Sequence, residues 1–481
     1  MIKLLNQLFD LCDDITVNSN QVKKKSLFVA YQGHQFDGRN FIDSAIKSGA
    51  AAIIYEKKNF EWKPEWNIPH MAINELKKEL PIIANKFYGN PSKSFKLIGV
   101  TGTNGKTTST VWLSSCLNQL KIKAGYVGTL GYGDNINLFP TSNTTPDVFS
   151  TQKILQYFKA KKASHIAMEV SSHAIDQKRI DTLEFDIKVL TNITRDHLDY
   201  HGSIENYIKC KSSFLLEKPL SVIIINNDDP AGKIIAEQIK TQNKTPKLLT
   251  FGLENNSDLM AKKISFYNDR VAFDLHYKDE IYRFEAPIFG KYNLYNLMGV
   301  IGCLLKLEIN IKDIQSVVLD LPQIEGRAEV IKRNDNNEPI IIIDYAHTPD
   351  ALRNILETIK QHNSKKLTVL FGCGGNRDQG KRKEMAIIAN QWADKAIITS
   401  DNPRDESPVD IIEEISRHIN IPLKKFEKRD AAIKYAVEGM SSNDILLIAG
   451  KGHECYQEIK GKKYPFSDKN IALKVLEKIK K

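Results

Sequence analysis

Short apolar runs separated by polar turns fill the first part of the chain. Residues 26–31, SLFVAY, predict a β-strand, and residues 41–50 show a helical spacing that ends at a glycine. The apolar run AAIIYE follows directly and predicts a second strand. Residues 87–94, FYGNPSKS, collect the Gly, Asn, Pro and Ser that are typical of a linker. We therefore expect a first α/β domain over residues 1–94.

A second pattern begins with residues 95–100, FKLIGV, a buried-strand run that leads into a glycine loop and then a helical stretch. Further strands are predicted at residues 165–170, 187–192 and 221–226, with helical patterns between them. Alternation of strands and helices favours a mostly parallel sheet covered by helices. We expect this central domain to span residues 95–325.

The pattern changes again near residues 321–330, LPQIEGRAEV. Beyond them, four apolar runs each end in a loop of glycine and polar residues: PIIIIDYAH, KLTVLFGCGG, KAIITSDNP and ILLIAGKGH. This layout is typical of a doubly wound, Rossmann-like sheet, whose ligands bind outside the carboxyl ends of the strands. We expect a third domain over residues 326–481, which gives an α/β chain of three domains.

The composition is typical of a folded protein, with 42% hydrophobic and 26% charged residues. The longest apolar runs, such as residues 341–343, are too short to cross a bilayer. The start, MIKLLNQLFDLCDD, turns acidic before the apolar core of a signal peptide could develop. Six single cysteines without a CxxC pair indicate reduced thiols rather than a disulfide framework or a zinc site. We expect a cytoplasmic protein without membrane insertion.

The net charge of +10 has two interpretations, a polyanionic partner or a lysine-rich solvated surface. The lysines are dispersed in pairs, and no aromatic–basic signature of RNA binding is present, so the second interpretation is favoured. We expect small-molecule substrates and no nucleic-acid partner. The sequence does not encode the oligomeric state in a visible pattern, and we expect a monomer.

Residues 99–107, GVTGTNGKT, have the character of a phosphate loop, although the glycine spacing differs from the commonest Walker form. Small residues let backbone N–H groups close on phosphate oxygens, and the helix that follows presents its positive N-terminus to the anion. Lys106 would add a charge near the β and γ phosphates, and Thr107 would offer a hydroxyl to Mg²⁺. The predicted ATP-binding loop consists of Gly102, Thr103, Asn104, Gly105, Lys106, Thr107 and Thr108.

Two further side chains follow predicted strands of the same sheet. Glu169 stands at the end of one strand, where a carboxylate can hold Mg²⁺, and His197 lies in the loop after another. One histidine alone would more often be structural. Because a carboxylate, a histidine and a phosphate loop all fall at carboxyl ends of strands, the sequence favours a shared metal site.

Ten motifs follow one another in order, and the resemblance that they carry covers about residues 17–458. They are GVTGTNGKTT, SNTTPD, EVSSHA, TNITRDHLDYHG, GKYNLYN, GRAEV, DYAHTPDAL, FGCGGNRDQGKR, DNPR and AGKGHE. This series resembles that of the Mur ligases. The resemblance implies a domain for the UDP end of the substrate, a central P-loop ATPase-type domain and a Rossmann-like amino-acid-binding domain. It also implies ATP-dependent amide formation through an acyl phosphate, in the synthesis of cell-wall precursors.

The resemblance assigns catalytic roles to Lys106, Glu169, His197 and Lys211. Lys211 matches a family lysine that captures CO₂ as a carbamate, and it would hold Mg²⁺ together with Thr107, Glu169 and His197. From local sequence alone, Lys211 has the pattern of an ordinary surface lysine, and only its spacing from the preceding motif reverses that interpretation. Asn293, Asn296 and His347 match further positions on the nucleotide side.

The resemblance also implies two parts of a UDP-muramoyl-dipeptide site. The UDP end would contact Ser19, His34 and Gln35. The muramoyl-peptide end would contact Asn143, Thr144, Thr145, Ser171, Gln177 and Arg179. One departure concerns the first group, because Asn18 and Asn20 flank Ser19 where the family often has Asp-Ser-Arg. The loss of those charged neighbours puts the uridine contacts at this turn in doubt.

The DNPR motif bears on the third substrate. In the family, an arginine here accompanies meso-diaminopimelate, whose second carboxylate a planar guanidinium can grip with two hydrogen bonds. Without that context, Pro403 and Arg404 form an ordinary turn signal. The predicted diaminopimelate site consists of Arg377, Asp401, Asn402, Pro403, Arg404, Gly450 and Glu454, with Glu454 on the distal ammonium.

Other functions remain open at this point. A related Mur ligase that adds L-lysine or another amino acid, or a folate polyglutamate synthase, is the nearest alternative, and the DNPR and GKGHE motifs argue against both. A nucleotide switch or nucleic-acid-dependent ATPase would show ATP hydrolysis without an amide product. A catalytically idle scaffold is disfavoured because Lys106, Glu169, His197 and Lys211 are all present.

Overall fold

The computed structural model describes residues 2–33, 36–134, 136–217, 221–241, 247–267, 270–331, 339–362, 365–442 and 444–479. Within these residues the chain forms sheets of four, eleven and six strands, plus a two-stranded hairpin. The predicted α/β architecture in three domains is thereby confirmed. The large sheets fall inside the three expected ranges, while the boundaries at residues 94 and 325 stay predictions.

The first sheet is parallel throughout, in the order β1-β2-β3-β4. Its strands are β1 (Asp14–Thr16), β2 (Ser26–Ala30), β3 (Ala50–Glu56) and β4 (His70–Ile73). Its helices are α1 (Ile2–Phe9), α2 (Ile42–Lys47) and α3 (Leu76–Phe87), with 3₁₀ turns at Ser19–Gln21, Gly38–Phe41 and Pro91–Ser94. Helices α1 and α3 cover one face of the sheet and α2 the other. The predicted helix over 41–50 is shorter in the structure, because residue 41 ends a 3₁₀ turn capped by Asp37 and α2 stops at Lys47, before Gly49 at φ +96° and the start of β3.

The central sheet has parallel strands in its middle and antiparallel strands at both edges. Its strands are β5 (Lys96–Thr101), β6 (Ala124–Gly128), β7 (Gly131–Gly133), β8 (Leu138–Phe139), β9 (His165–Glu169), β10 (Ile187–Leu190), β11 (Val222–Asn226), β12 (Leu248–Gly252), β13 (Leu259–Phe266), β14 (Val271–Tyr277) and β15 (Glu280–Ala286). Their order is β15-β14-β13-β12-β11-β10-β5-β9-β6-β7-β8. The antiparallel edges were not predicted from the sequence, whereas the strands at residues 95–100, 165–170, 187–192 and 221–226 were.

Helices cover both faces of the central sheet. They are α4 (Lys106–Gln119), α5 (Val148–Ala160), α6 (Ser172–Asp176), α7 (Leu198–His201), α8 (Ile204–Leu216), α9 (Pro230–Thr241), α10 (Lys291–Lys306) and α11 (Ile311–Val318). One core lies under α4, α10 and α11, and the other under α5, α8 and α9. Strands β5, β9 and β10 are parallel neighbours, so the loops at their carboxyl ends meet at one edge.

The third sheet has the order β16-β17-β21-β18-β19-β20 and is parallel except for β16. Its strands are β16 (Glu329–Ile331), β17 (Ile340–Asp344), β18 (Lys366–Phe371), β19 (Lys395–Thr399), β20 (Leu423–Phe426) and β21 (Asp444–Ala449), followed by the hairpin β22 (Tyr456–Ile459) and β23 (Lys462–Pro465). Its helices are α12 (Pro349–His362), α13 (Gly380–Trp392), α14 (Pro408–Ser416), α15 (Arg429–Glu438) and α16 (Asp468–Ile479). Helices α12 to α14 pack on one face and α15 and α16 on the other, as a doubly wound sheet requires.

No helix within the described ranges is long and apolar enough to cross a membrane.

Candidate active site

A cavity of about 400 Å³ lies between the carboxyl edge of the central sheet and the third domain. Most of the residues predicted for ATP, metal and substrate line it. These are Thr103, Asn104, Gly105, Lys106, Thr107, Thr108, Asn143, Thr144, Glu169, Ser171, Arg179, His197, Lys211, Asn293, Asn296, His347 and Arg377. The structure thus brings side chains from distant parts of residues 103–377 into one site.

The phosphate loop joins β5 to α4 and depends on two glycines. A Cβ on Gly102 would come within 1.9 Å of the Thr191 hydroxyl, and one on Gly105, at φ +86°, within 2.0 Å of the Asn296 amide oxygen. Lys106 folds back onto the loop, where Nζ donates to the carbonyls of Gly102 and Thr103 at 2.8 Å each. A phosphate could take over those donors without a change in the loop backbone.

Glu169 ends β9 and is fully buried. Its Oε1 accepts from the Tyr126 hydroxyl at 2.7 Å and the Thr129 amide at 2.9 Å. Its Oε2 accepts from the Thr107 hydroxyl at 3.0 Å and the Thr129 hydroxyl at 3.1 Å. Four donors compensate the desolvation of this carboxylate, and they place it against the phosphate loop. Neither Tyr126 nor Thr129 was predicted from the sequence as part of the site.

His197 follows β10 and caps α7 in a left-handed backbone conformation, φ +53°, which few non-glycine residues adopt. Burial lowers the pKa of its imidazole to about 3, against the opposing effect of Asp196 and with help from His173 and Lys106. The ring is therefore neutral at pH 7, which is the form that binds metals. The Nε2 atom lies 3.3 Å from the carboxylate of Asp196, a residue that the sequence analysis did not single out.

Lys211 lies on α8 with only 1% of its surface exposed. Its Nζ donates to the Gly102 carbonyl at 2.9 Å and to the Thr101 hydroxyl at 3.3 Å. Burial, and then the nearby charge of Lys106, hold the pKa of Lys211 well below its usual range. A neutral amine at the edge of the phosphate loop is the species that attacks CO₂, so the surroundings of Lys211 suit the carbamate that the resemblance implies.

The four predicted Mg²⁺ ligands line one cavity. Thr107 and Glu169 are hydrogen-bonded to each other and offer oxygen atoms, and His197 and Lys211 are part of the same lining. Within the part of the chain that the structure describes, no three His, Cys, Asp or Glu side chains cluster as a metal cage. Mg²⁺ suits such sparse sites, because it usually keeps waters and binds one or two carboxylates together with substrate phosphates.

The nucleotide side of the cavity is shared by α10 and the loop after β17. Asn296 donates to Asn293 at 3.2 Å, and the His347 ring nitrogen lies 2.8 Å from the Tyr345 carbonyl. Arg327 was missed by the sequence analysis, although its GRAEV motif was recognised. Its guanidinium stacks 4.4 Å from the centre of the Tyr345 ring and donates to the Thr107 hydroxyl at 3.2 Å. It therefore places a permanent positive charge beside the phosphate loop.

The muramoyl-side residues occupy different depths. Thr144 lies at the cavity wall with its hydroxyl 3.1 Å from that of Thr129, whereas Thr145 is fully buried and donates to the Glu169 carbonyl at 2.8 Å. Arg179 donates to the Thr145 carbonyl at 2.8 Å and to Gln177 at 3.0 Å, so Gln177 orients the arginine from outside the cavity. Ser19 lies half-buried in the 3₁₀ turn of the first domain, away from the cavity. His34 and Gln35 lie outside the described residues.

Most of the predicted diaminopimelate residues form a second group in the third domain. Asn402 donates to Glu454 Oε2 at 3.0 Å, and buried Lys451 donates to the same oxygen at 2.8 Å. A Cβ on Gly450, at φ +113°, would approach the Asp401 carboxylate to 2.7 Å. Pro403 leads into Arg404. The sequence analysis missed Lys451, and it missed Glu458, whose carboxylate lies 3.1 Å from Arg404 Nε.

Two sets of ion pairs hold the segment around His197 against the third domain. In one set the arginine belongs to the central domain, and in the other it belongs to the third domain. Arg195 donates twice to Asp378, at 2.9 and 3.1 Å, and once to Glu384 at 3.0 Å. In the reverse direction, Arg377 donates to Asp199 at 3.3 Å. The loop that carries His197 is thus fixed on both sides to the domain that carries the predicted amino-acid site.

We expect Arg195→Ala to lower kcat/KM for ATP about 3- to 10-fold, because the pairing is bidentate but partly exposed. The melting temperature should hardly change. Small-angle scattering should show less compaction when ATP and the UDP-linked substrate are added together. Lys96→Ala is a matched control, since it removes an ion pair with Asp186 that stays within the central domain. Equal kinetic effects of the two variants would contradict a role of Arg195 in holding the third domain against the central one.

Three family models match successive parts of the chain. The model described as "Mur ligase family, catalytic domain" matches residues 13–88, "Mur ligase middle domain" matches residues 100–304, and "Mur ligase, glutamate ligase domain" matches residues 326–452.

Relatives with curated names match over nearly the whole length. The chain is 38% identical to the UDP-N-acetylmuramoyl-L-alanyl-D-glutamate–2,6-diaminopimelate ligase of Nitrosomonas europaea, over 98% of this chain and 94% of that protein. It is 39% identical to the ligase of the same name from Fusobacterium nucleatum, over 96% of this chain and 93% of that protein.

Solved structures give the same result as these sequence matches. One structure of a UDP-N-acetylmuramoyl-L-alanyl-D-glutamate–2,6-diaminopimelate ligase superposes with a TM-score of 0.67 at 30% identity, covering 98% of this chain and 96% of that one. The MurF ligase of Thermotoga maritima, in complex with ADP, gives a TM-score of 0.70 at 20% identity, with 99% of each chain covered. The second likeness shows the fold alone.

Proposed function

Since the chain belongs to the Mur ligase family, as its motif series predicted, we propose that it joins meso-2,6-diaminopimelate to UDP-N-acetylmuramoyl-L-alanyl-D-glutamate with consumption of ATP. The observation that carries the proposal is the common cavity. A phosphate loop, the Thr107–Glu169 pair and the buried Lys211 face the same space, and the third domain closes it. Such a reaction makes a precursor of peptidoglycan.

The chemistry explains why the site is rich in positive charge. The terminal carboxylate of the dipeptide attacks the γ-phosphate of ATP, which forms an acyl phosphate and releases ADP. The amine of the incoming amino acid then attacks the carbonyl carbon, and phosphate leaves as the amide bond forms. Both reactants of the first step are anions, so catalysis consists mainly of positioning and of neutralising negative charge.

Each side chain has a defined part in this scheme. Lys106 and Arg327 place positive charge at the loop, where the phosphates would lie. Thr107, Glu169, His197 and Lys211 would hold Mg²⁺, with Lys211 as a carbamate formed from CO₂. When bound, the metal ions would supply positive charge between the two anions. Because the reaction uses ATP and a UDP-linked precursor, we place the enzyme in the cytoplasm, and we propose that it acts as a monomer.

We expect purified protein to form the UDP-muramoyl-tripeptide only when ATP, Mg²⁺, the UDP-linked dipeptide and meso-diaminopimelate are all present. Chromatography with mass detection would identify the product. Lys106→Met should abolish both the product and the coupled ADP release, because it removes the charge at the β and γ phosphates.

The same assay separates the alternatives. Faster ligation of L-lysine would assign the protein to a different member of the family. ATP hydrolysis that is stimulated by nucleic acid and yields no amide would refute the ligase function.

A further inference from the structure

The carboxylate of Asp196 contacts both the backbone and the ring of His197, its neighbour in the chain. The His197 amide donates to Asp196 Oδ1 at 2.9 Å, and His197 Nε2 lies 3.3 Å from Asp196 Oδ2. One oxygen of the carboxylate is therefore fixed by the backbone of the histidine, and the other faces its ring. The Asp196 side chain is only 11% exposed, so the protein rather than solvent sets its orientation.

Packing alone does not decide which nitrogen of the His197 ring faces Asp196. The His173 ring packs edge-on against His197, with the ring centroids 4.9 Å apart. This contact limits the tilt of the imidazole, but a ring turned by 180° about its bond to Cβ would fill the same space. A carboxylate beside Nε2 removes that ambiguity, because it favours a proton on Nε2 and leaves the lone pair on Nδ1.

The other carboxylates of the cavity have other partners. Among the described residues, the acidic side chains that line it are Glu169, Asp196 and Asp344. Glu169 accepts four hydrogen bonds from hydroxyls and a backbone amide. Asp344 accepts one backbone amide on each of its oxygens. Asp196 is therefore the acid that is placed to orient His197.

A second histidine approaches the same oxygen from the third domain, but less closely. His347 Nε2 lies 3.8 Å from Asp196 Oδ2, which is beyond the length of a hydrogen bond. The other ring nitrogen of His347 lies 2.8 Å from the Tyr345 carbonyl, so this ring is held within its own domain. The distances thus favour a role of Asp196 in orienting His197 over a role in joining the two domains.

We propose that Asp196 is a positioning residue, which holds Nε2 of His197 toward itself so that the other ring nitrogen can bind a divalent cation. This inference rests on the proposed function, in which His197 helps to hold Mg²⁺. Histidines that bind metals usually donate their second ring nitrogen to a carboxylate, a carbonyl or water, and loss of that partner costs about 10- to 100-fold in metal affinity. In this role Asp196 itself touches neither the metal nor the substrates.

The first test measures metal affinity without turnover. Mn²⁺ is the probe, added to the protein together with ADP. Electron paramagnetic resonance gives the free Mn²⁺, and a titration of ADP alone corrects for binding to the nucleotide. Asp196→Ala should weaken Mn²⁺ binding about 10- to 100-fold. Asp196→Asn keeps an oxygen that can accept from Nε2, so it should lose less affinity than the alanine variant.

Asp199→Asn is the matched control. It also removes a carboxylate from the segment around His197, together with a contact to the third domain, because Asp199 pairs with Arg377 at 3.3 Å. It should change the affinity for Mn²⁺ less than about 3-fold, since this pair is partly exposed. A wild-type protein that binds no Mn²⁺ beyond the ADP control would refute the metal site of the proposed function itself.

Nitrogen NMR of protein with ¹⁵N-labelled histidine separates orientation from simple loss of charge. At pH 7 the His197 ring is neutral, because burial lowers its pKa to about 3. Its signals, assigned by their absence in His197→Ala, should show a proton on Nε2 in the wild type and a shift toward the Nδ1 tautomer in Asp196→Ala. An unchanged tautomer overturns the proposal. So does a loss of Mn²⁺ affinity in Asp196→Ala that is no larger than the loss in Asp199→Asn.

Discussion

Replacement of Lys211 by alanine is expected to lower kcat about 10³-fold, the scale found when one charge-stabilising group is removed from an active site. In the structure its amine is buried at the edge of the phosphate loop, where the Gly102 carbonyl holds it. Burial and the neighbouring Lys106 keep the pKa of this amine low, so it can react with CO₂ at neutral pH. The alanine variant would lose the carbamate anion that we propose as a ligand of Mg²⁺.

The fold should survive this change. Lys211 ends in a single amine with two hydrogen bonds, and its removal takes a desolvated polar group out of the interior. Lys209→Ala is the matched control, since that lysine is exposed on the same helix and does not line the active-site cavity. We expect Lys209→Ala to keep full activity, and both variants to melt within a few degrees of the wild type.

Two measurements separate a carbamate from a simple structural lysine. Protein equilibrated with ¹³C-bicarbonate should give a carbamate carbon signal that Lys211→Ala lacks. A short-chain carboxylic acid should restore part of the activity of the alanine variant, because it can replace the missing carboxylate. Full activity of Lys211→Ala in bicarbonate-depleted buffer would rule the carbamate out.

Local sequence patterns were sufficient to predict the positions of the groups that lie at strand ends. The phosphate loop and Glu169 could be assigned because β5 and β9 are parallel neighbours, with Val100 opposite Glu169, and parallel strands end at the same edge. Buried apolar runs predicted these strands directly. The antiparallel edge was missed although Val271, Phe273 and Leu275 alternate along β14, since such an alternation does not say which sheet it joins.

Contacts between distant segments were not predictable in the same way. Arg327 reaches Thr107 across 220 positions of sequence, and only the packing of the third domain on the central one brings them together. Glu458 pairs with Arg404 through a hairpin that turns at Lys460 and Gly461, and such a turn signal does not say which distant loop the hairpin contacts. The roles of Ser19, His34 and Gln35 stay predictions. The role of Ser19 is a contact with the UDP end of the substrate, and His34 and Gln35 lie outside the described residues.

The second large effect is expected for Arg404. Meso-diaminopimelate and L-lysine differ by one distal carboxylate, and a guanidinium that pairs with it is left partly unmatched when lysine binds. Loss of one partner of a hydrogen-bonded charge pair costs about 2–5 kcal/mol when buried, and the partial exposure of Arg404 favours the lower end. We therefore expect Arg404→Ala to raise KM for meso-diaminopimelate about 30- to 300-fold. The constants for ATP and the UDP-linked substrate should change little.

Arg404→Lys tests the geometry of this contact rather than its charge. An ammonium cannot supply Nε to Glu458, Nη1 to the Gly375 carbonyl and a third donor to the substrate at the same time, so the lysine variant should also be impaired. Arg417→Ala, at an exposed position after α14, is the matched control and should behave as wild type. Discrimination against L-lysine should shrink in Arg404→Ala, although efficient use of lysine need not appear, because no new attractive contact is made. An alanine variant that keeps the selectivity of the wild type would show that another residue binds the distal carboxylate.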